Sequence, residues 1–272
     1  MSKERFRGRP RSSRLVLTVY LMLRLMVIYV LISQLVKAHY ENVYICILTL
    51  VLFMLPSFIE RRLHVDLPDM LEIIILLFIF AAQIMGEIQS YYLTIPCWDL
   101  ILHTINGFLF AAIGFSLINI LNEDKRVSLT LSPLYMALTA FCFSMTIGVL
   151  WEFFEWVMDI LFGFDMQKDS VVTAFSSVTL NPQGRNEAFK VYNLAETVLI
   201  FEDGSALSLG LEGYLDLGLY DTMMDLLVNF LGAVVFSFIG FFYVKTKGRG
   251  FIARLFIPEP MQPQPDRQNK YR

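Results

Sequence analysis

Long apolar runs separated by short polar stretches dominate the hydropathy pattern of this 272-residue chain. A run of about 20 apolar residues is long enough to cross the hydrocarbon core of a bilayer as an α-helix. Five such runs follow one another within residues 14–162, and a sixth occupies residues 220–246. The pattern therefore predicts an all-α polytopic membrane protein with six transmembrane helices.

The segment between the fifth and sixth runs, residues 163–219, is polar and breaks this pattern. Within this insert, two β-prone runs between Glu196 and Leu209 flank the pair Asp203-Gly204. An Asp-Gly pair between two such runs is typical of a tight β-hairpin. Because an isolated hairpin is only marginally stable in water, we expect the insert to pack on the membrane domain as a small cap.

The distribution of basic residues predicts the orientation of the spans. Six spans place both ends of the chain on one side, and that side carries 17 lysine and arginine residues, whereas the other carries four. Cytoplasmic loops are enriched in Lys and Arg. Residues 1–13 and 247–272 are therefore predicted to be cytoplasmic tails, and the insert is predicted to be extracytoplasmic.

Composition agrees with a membrane protein and argues against a nucleic-acid-binding site and a thiolate metal site. The mean hydropathy is +0.57 and charged residues make up 17% of the chain, against about a quarter in soluble domains. The basic cluster near the N-terminus adjoins the first span, so topology explains it and nucleic-acid binding is not indicated. The cysteines show neither CxxC spacing nor neighbouring histidines, which argues against a thiolate metal site.

Three acidic residues share one face of the fifth predicted helix near its end. Glu152, Glu155 and Asp159 follow an i, i+3, i+7 spacing. Ionisable groups within a membrane segment are costly and usually face a cavity or a partner. Asp159 lies last, where facing water is the simpler interpretation, so Glu152 and Glu155 are the residues that need an explanation.

Polar residues at matching depth occur on spans four and six. Asp99 opens span four and His103 lies one turn deeper, while Asp221 opens span six and Asp225 lies one turn deeper. Under the predicted topology, both pairs belong to the same leaflet as the stripe on span five. Three helices are therefore expected to present polar side chains to one another.

The expected cluster has an excess of negative charge. Arg24 and His103 are the only nearby candidates for a positive charge, and like carboxylates close together in a low dielectric cannot all stay ionised. Either some of the carboxyl groups are protonated, or a cation lies among them. Mixed carboxylate and imidazole ligands suit zinc or manganese, whereas an all-oxygen subset suits magnesium.

The sequence therefore predicts a divalent-cation site with assigned roles. The predicted metal ligands are His103, Glu152, Asp225 and Asp99, and the predicted general bases toward a metal-bound water are Glu155 and Asp221. Structural roles compete with this interpretation. Asp99 and Asp221 each precede a helix and would serve as N-caps, and Arg24 would pair with Glu152 or Glu87 in a structural bridge.

These residues resemble a known family. The motifs are Trp98-Asp99-x3-His103-x3-Gly107, Glu152-x2-Glu155-Trp156 and Tyr220-Asp221-x3-Asp225 with a following Gly232. They resemble the YjdF-like bacterial inner-membrane proteins. More distantly, Asp225-x3-Asn229-x2-Gly232 after an intramembrane Glu is similar to the VanZ-like group, which is linked to glycopeptide resistance. The resemblance implies a bacterial cytoplasmic membrane and little about chemistry. The chain departs from the family at Asp216-Leu217-Gly218, where the family has Gln-Gly-Asp, and in a longer insert.

The sequence leaves three functions open. The first is a metal-dependent enzyme that acts from within the bilayer on an envelope lipid or a lipid-linked substrate. The second is a transporter for a cation or proton, which would use the same carboxylates as a relay. The third is a non-catalytic envelope-maintenance or binding protein, in which the carboxylates form a structural hydrogen-bond network.

Overall fold

The computed structural model describes residues 6–7, 13–63, 65–123, 130–247, 255–260 and 262–263. The predicted tails 1–13 and 247–272 fall largely outside these residues. The helices are α1 (Arg14–Val36), α2 (Tyr40–Leu52), α3 (Leu55–Leu63), α4 (Asp69–Phe80), α5 (Tyr91–Thr94), α6 (Trp98–Glu123), α7 (Pro133–Phe162) and α8 (Leu219–Lys245), and α4 continues as a π-helix over Ala81–Ile88. The strands are β1 (Phe6–Arg7), β2 (Val65–Asp66), β3 (Ser170–Val172), β4 (Phe175–Ser177), β5 (Phe189–Val191), β6 (Val198–Ile200), β7 (Ala206–Ser208), β8 (Tyr214–Asp216), β9 (Glu259–Pro260) and β10 (Gln262–Pro263).

Six helical segments among the described residues are long and apolar enough to cross a membrane. They are Arg14–Val36, Tyr40–Arg62, Asp69–Ile88, Trp98–Asn122, Pro133–Phe162 and Leu219–Lys245. The structure confirms the predicted fold class, a six-span helical membrane protein with a small β-hairpin region. Because α8 begins at Leu219, the insert comprises residues 163–218 in the structure.

The second span is interrupted near its end. The helix turns at Phe53 and Met54, and Pro56 follows in the first turn of α3. Proline has no N–H group, so it cannot bond to the carbonyl four residues earlier, and it is tolerated best in the first turn of a helix. Pro56 therefore lies where a second short helix begins rather than inside α2.

The chain divides into two compact units. The bundle unit comprises residues 1–148 and 227–272, and the insert unit comprises residues 149–226. In the bundle unit, one hydrophobic core joins buried side chains from α1, α4, α6 and α8, among them Val27, Ile75, Phe115 and Phe236. The six-span prediction did not anticipate this division.

Backbones approach each other very closely in the bundle unit. A Cβ atom on Gly107 would lie 2.1 Å from the carbonyl oxygen of Asn229, and one on Gly232 would lie 2.1 Å from that of Thr104. The hydroxyl of Ser144 donates to the carbonyl oxygen of Gly107 at 2.7 Å. Small residues at helix contacts and hydrogen bonds between helices are the usual means of association in membranes.

Short strand pairs join the segments before α1 and after α8 to each other, and join the segment after α8 to the α3–α4 loop. β1 pairs with β10, and β2, in the loop between α3 and α4, pairs with β9; both pairs are antiparallel. Just before β9, Ile257 is buried, and the ring of Phe256 lies 5.0 Å from that of Phe108. The segments at both ends of the six spans and the α3–α4 loop therefore lie on the same side of the spans.

The insert unit contains three antiparallel strand pairs. The pair β6–β7 is the predicted hairpin, with Val198 opposite Ser208 and Ile200 opposite Ala206. Its turn holds Gly204 at a φ of +82°, a conformation that glycine adopts readily. The pairs β3–β8 and β4–β5 complete the insert and were not predicted.

Candidate functional site

The bundle unit contributes one of the predicted pairs, Asp99 and His103 of α6. The two residues are one turn apart and share a helix face, with His103 Nε2 3.6 Å from Asp99 Oδ1. His103 is buried, whereas the side chain of Asp99 is 25% exposed. The predicted N-cap role of Asp99 is not observed, because α6 begins at Trp98 and Asp99 lies in its first turn.

Asn229 of α8 is a further buried polar residue of the bundle unit. Its Nδ2 lies 3.6 Å from Met145 Sδ. Among the described residues its Oδ1 has no hydrogen-bond partner. A Cβ atom on Gly148 would lie 2.7 Å from Nδ2, so the absence of a side chain there makes room for the amide. A buried amide oxygen of this kind is an available acceptor.

The insert unit contributes Glu152 and Glu155 of α7. Both side chains are buried, and each places a carboxylate oxygen within 4.8 Å of one on the other. Trp151 Nε1 donates to Glu155 Oε1 at 2.8 Å, which fixes that carboxylate against its own helix. Two carboxylates this close in an apolar region cannot both carry an uncompensated charge.

Asp225 and Asp221 lie one turn apart on α8 and have different surroundings. Asp225 is completely buried. Asp221 accepts a hydrogen bond at 2.7 Å from the backbone N–H of Lys168, so it holds the insert. Asp221 lies in the first turn of α8 rather than before it, so the predicted N-cap role is wrong here too; its role as a general base stays a prediction.

Asp159 has a structural role that the sequence did not predict. Its Oδ1 accepts from the backbone N–H of Met166 at 2.5 Å, and its Oδ2 accepts from that of Gln167 at 2.8 Å. Asp159 and Asp221 together hold residues 166–168, near the start of the insert, by accepting hydrogen bonds from their backbone N–H groups. A side chain interpreted as facing water at the end of a helix therefore anchors the loop that follows.

Arg24 has a partner on its own helix. Its Nη1 donates to the hydroxyl of Tyr20 at 2.6 Å, and its guanidinium carbon lies 5.4 Å from the centre of the Tyr20 ring. A hydroxyl and an aromatic face stabilise the guanidinium without neutralising it. The structure therefore gives Arg24 a local role in α1, and its predicted bridge to Glu152 stays a prediction.

A cavity of about 770 Å³ lies within the insert unit. Its walls come from α7, from the insert and from the first two turns of α8. Most of the lining side chains are apolar, and Glu152, Gln167 and Thr222 are the polar ones. The cavity therefore places a buried carboxylate beside a largely apolar space.

The spans bury acidic and histidine side chains of the types that bind metal ions. The buried members are His103, Glu152, Glu155 and Asp225. An imidazole nitrogen and several carboxylate oxygens are the donor set of zinc and manganese sites. Which of these residues bind a ligand or act in catalysis stays a prediction.

Comparison with protein families identifies one family for this chain. A family model described as "Predicted membrane protein (DUF2238)" matches residues 18–246, which extend from within the first span through the sixth and include the insert. The YjdF-like resemblance is consistent with this match, whereas the more distant VanZ-like resemblance is not confirmed. No curated protein and no solved structure matches the chain. The chain is a multi-pass membrane protein and belongs to the DUF2238 family of predicted membrane proteins.

Proposed function

We propose that this protein is a metal-dependent enzyme of the bacterial cytoplasmic membrane that acts on an envelope lipid or a lipid-linked substrate. One observation carries the proposal: His103, Glu152, Glu155 and Asp225 are each at most 6% exposed, within segments that cross the bilayer. Transferring an ionised side chain from water into such surroundings is costly unless the charge is paired or binds a metal.

A bound cation explains this burial with the residue types that are present. In the proposal, His103, Glu152, Asp225 and Asp99 hold a divalent cation such as zinc, manganese or magnesium. When bound, the cation would polarise a substrate oxygen and lower the pKa of a water. Imidazole together with carboxylates favours zinc or manganese over magnesium, which prefers oxygen ligands alone.

Glu155 is the proposed general base. The indole of Trp151 donates to its Oε1 at 2.8 Å, which orients the carboxylate while leaving it the ability to accept a proton. Asp221 is the alternative base. Because Asp221 also accepts from the backbone of Lys168, its participation would couple the chemistry to the position of the insert.

The proposed orientation places both termini in the cytoplasm and the insert outside. Its support is the excess of basic residues, 17 against four, on the side of the termini. The pairing of the terminal strands with each other and with the α3–α4 loop agrees with an even number of spans. The proposed site would then open to the extracytoplasmic leaflet, where envelope lipids are processed.

The transport alternative requires a hydrated route between the two leaflets, and several hydroxyl groups of spans four and five donate to backbone carbonyls instead. Ser116, Thr139 and Thr146 donate to carbonyls of their own helices at 2.6, 2.9 and 2.8 Å. Ser144 donates to the backbone of another helix. The inner halves of spans four to six also carry no carboxylate that could serve as a relay, which favours a one-sided site over a conduit.

Elemental analysis of the detergent-purified protein tests the proposal. We expect a stoichiometric divalent cation in the wild type, and a loss of metal affinity in Glu152→Gln and Asp225→Asn at least as large as the ~10–100-fold caused by losing a supporting residue. The matched control is Glu202→Gln, an exposed acid in the turn of the hairpin, which should retain the metal.

Two outcomes would contradict the metal-dependent enzyme. A wild-type protein without bound metal that also fails to bind added zinc or manganese would remove the cation. Melting temperatures that fall in both site variants, with unchanged metal content, would instead support the non-catalytic hydrogen-bond network.

A further inference from the structure

The cavity of the insert unit is larger than a metal site requires. Its volume of about 770 Å³ falls in the range of about 300–1,000 Å³ that is typical of pockets for small organic ligands. Such pockets are mostly apolar with a few placed polar groups. The lining has this composition, so the cavity is a candidate ligand site in its own right.

The apolar wall follows directly from helical spacing. Val149, Phe153 and Val157 recur every fourth residue of α7 and form one stripe. On α8, Leu219 and Leu226 lie two turns apart and form the facing stripe. An apolar channel between two helices suits a chain of methylene groups better than a polar head.

The cavity opens where hydrocarbon is available. Both helices that form it cross the membrane, and the lining side chains Phe153 and Leu219 are 60% and 69% exposed. In water, an open apolar surface of this extent would be unfavourable. In a bilayer, exposed apolar side chains on two spans are compatible with the surrounding acyl chains, so a lipid chain is an occupant that these surroundings would supply.

Two polar side chains, Gln167 and Thr222, lie at the end of the cavity next to the insert, beside Leu217 and Leu219. Gln167 Nε2 donates to Thr222 Oγ1 at 2.5 Å, and the backbone of Gln167 is held by Asp159. Gly218 has a φ of +99°, and a Cβ atom there would lie 2.6 Å from Gln167 Cβ. A larger residue at this position would displace the glutamine, so the geometry of this end of the cavity depends on the glycine.

We propose that this cavity binds one hydrocarbon chain of a bilayer lipid, with the chain between Phe153 and Leu226 and the polar head toward Gln167 and Thr222. Chain binding needs no metal. Only the assignment of this lipid as the substrate rests on the proposed function, in which Glu152, on the cavity wall, would be a ligand of the cation beside the bound lipid.

Photolabelling in nanodiscs tests the proposal. The probe is phosphatidylglycerol with a diazirine at the end of one acyl chain, and labelled peptides are identified by mass spectrometry. We expect labelling concentrated on the cavity stripe of α7, at Val149, Phe153 and Val157. Val149→Trp and Leu226→Trp fill the cavity and should lose most of this labelling.

Matched controls lie next to the filled positions. Leu150→Trp and Leu227→Trp place the same side chain on exposed neighbours that do not line the cavity, and they should keep the wild-type labelling. If a filled variant does not purify as a folded protein, Phe153→Ser makes the channel polar and should lose the labelling instead.

The outcomes separate this inference from the proposed function. Uniform labelling around the spans, or labelling that persists in the filled variants, would overturn the lipid site whether or not metal is bound. Cavity-specific labelling in a protein that binds no metal would retain the lipid site and overturn the metal-dependent enzyme.

Discussion

The bundle unit and the insert unit hold their helices together by opposite means. In the bundle unit, Gly107 and Gly232 let backbones meet so closely that no Cβ atom fits. In the insert unit, the ends of α7 and α8 leave a cavity of about 770 Å³. There, Asp159 and Asp221 hold the backbone of the insert instead.

The difference follows from the solvent around each contact. Within a bilayer, apolar side chains gain little by moving from lipid to protein, so close backbone contacts and interhelical hydrogen bonds decide stability. At the ends of the spans, water is near and a charged side chain costs less free energy, so a carboxylate can accept hydrogen bonds from the backbone of a loop. The bundle unit is therefore expected to be sensitive to added volume, and the insert unit to lost charge.

The largest effect is expected for Gly232→Ala in the bundle unit. A Cβ atom 2.1 Å from the carbonyl oxygen of Thr104 forces backbone to move, and overpacking of this kind typically costs about 1–3 kcal/mol or more. Unfolding in detergent measures the loss. The matched control is Gly240→Ala on the same helix, whose new methyl would meet the side-chain ring of Phe115 at 2.7 Å and no backbone atom as closely. Equal losses in both variants would contradict backbone-limited packing.

A comparable but local effect is expected for Asp159→Asn in the insert unit. The amide keeps one acceptor oxygen and presents an NH₂ group to a backbone N–H, so one bond from Met166 or Gln167 is lost. Hydrogen bonds to charged groups contribute about 1.5–3 kcal/mol. Hydrogen exchange at residues 163–168 should accelerate, whereas Asp203→Asn in the hairpin turn should leave it unchanged. Unaltered exchange would show that the insert does not depend on this carboxylate.

A smaller loss is expected for Ser144→Ala, which removes a bond between helices in the bundle unit. Interhelical hydrogen bonds in membrane proteins contribute about 0.6 kcal/mol on average. Thr146→Val is the control, because Thr146 donates to Cys142 in its own helix. If the control loses as much stability as Ser144→Ala, the contact with Gly107 adds nothing to helix association.

The smallest effect is expected at the hairpin turn. The hydroxyl and the backbone N–H of Ser205 donate to Asp203 and hold the pKa of its carboxyl below the ordinary value. A depressed folded-state pKa stabilises the hairpin above the ordinary aspartate pKa, and this contribution is lost as pH falls through the folded value. Ser205→Ala should raise the pKa of Asp203 toward its ordinary value in an NMR titration. An unchanged titration would contradict the role of the hydroxyl.

The spans and the hairpin were predictable because their signals are local. An apolar run such as Arg14–Val36 has few alternatives to a membrane helix, and the Asp-Gly pair at 203–204 specifies a turn within its own hairpin. The β3–β8 pair carries no such signal. Its strands are three residues long and joined through the rest of the insert, so only the folded path of the chain brings them together.

Only those parts of the candidate site that depend on spacing along one helix were predictable from the sequence. Spacing places Glu152 and Glu155 on one face, and the cost of buried charge makes them noteworthy. It does not indicate that Asp159 would meet Met166, because that contact depends on how the chain leaves α7. The cavity was not predictable either, since an apolar stripe such as Val149-Phe153-Val157 is equally typical of a helix facing lipid.

The pairing of β2 with β9 has a consequence for biogenesis. β2 follows the second span, whereas β9 is synthesised only after α8. β2, in the α3–α4 loop, therefore has no partner strand while the four further spans are inserted into the membrane. Closing this loop is one of the last events of assembly, so the β2–β9 pair marks a completely inserted chain.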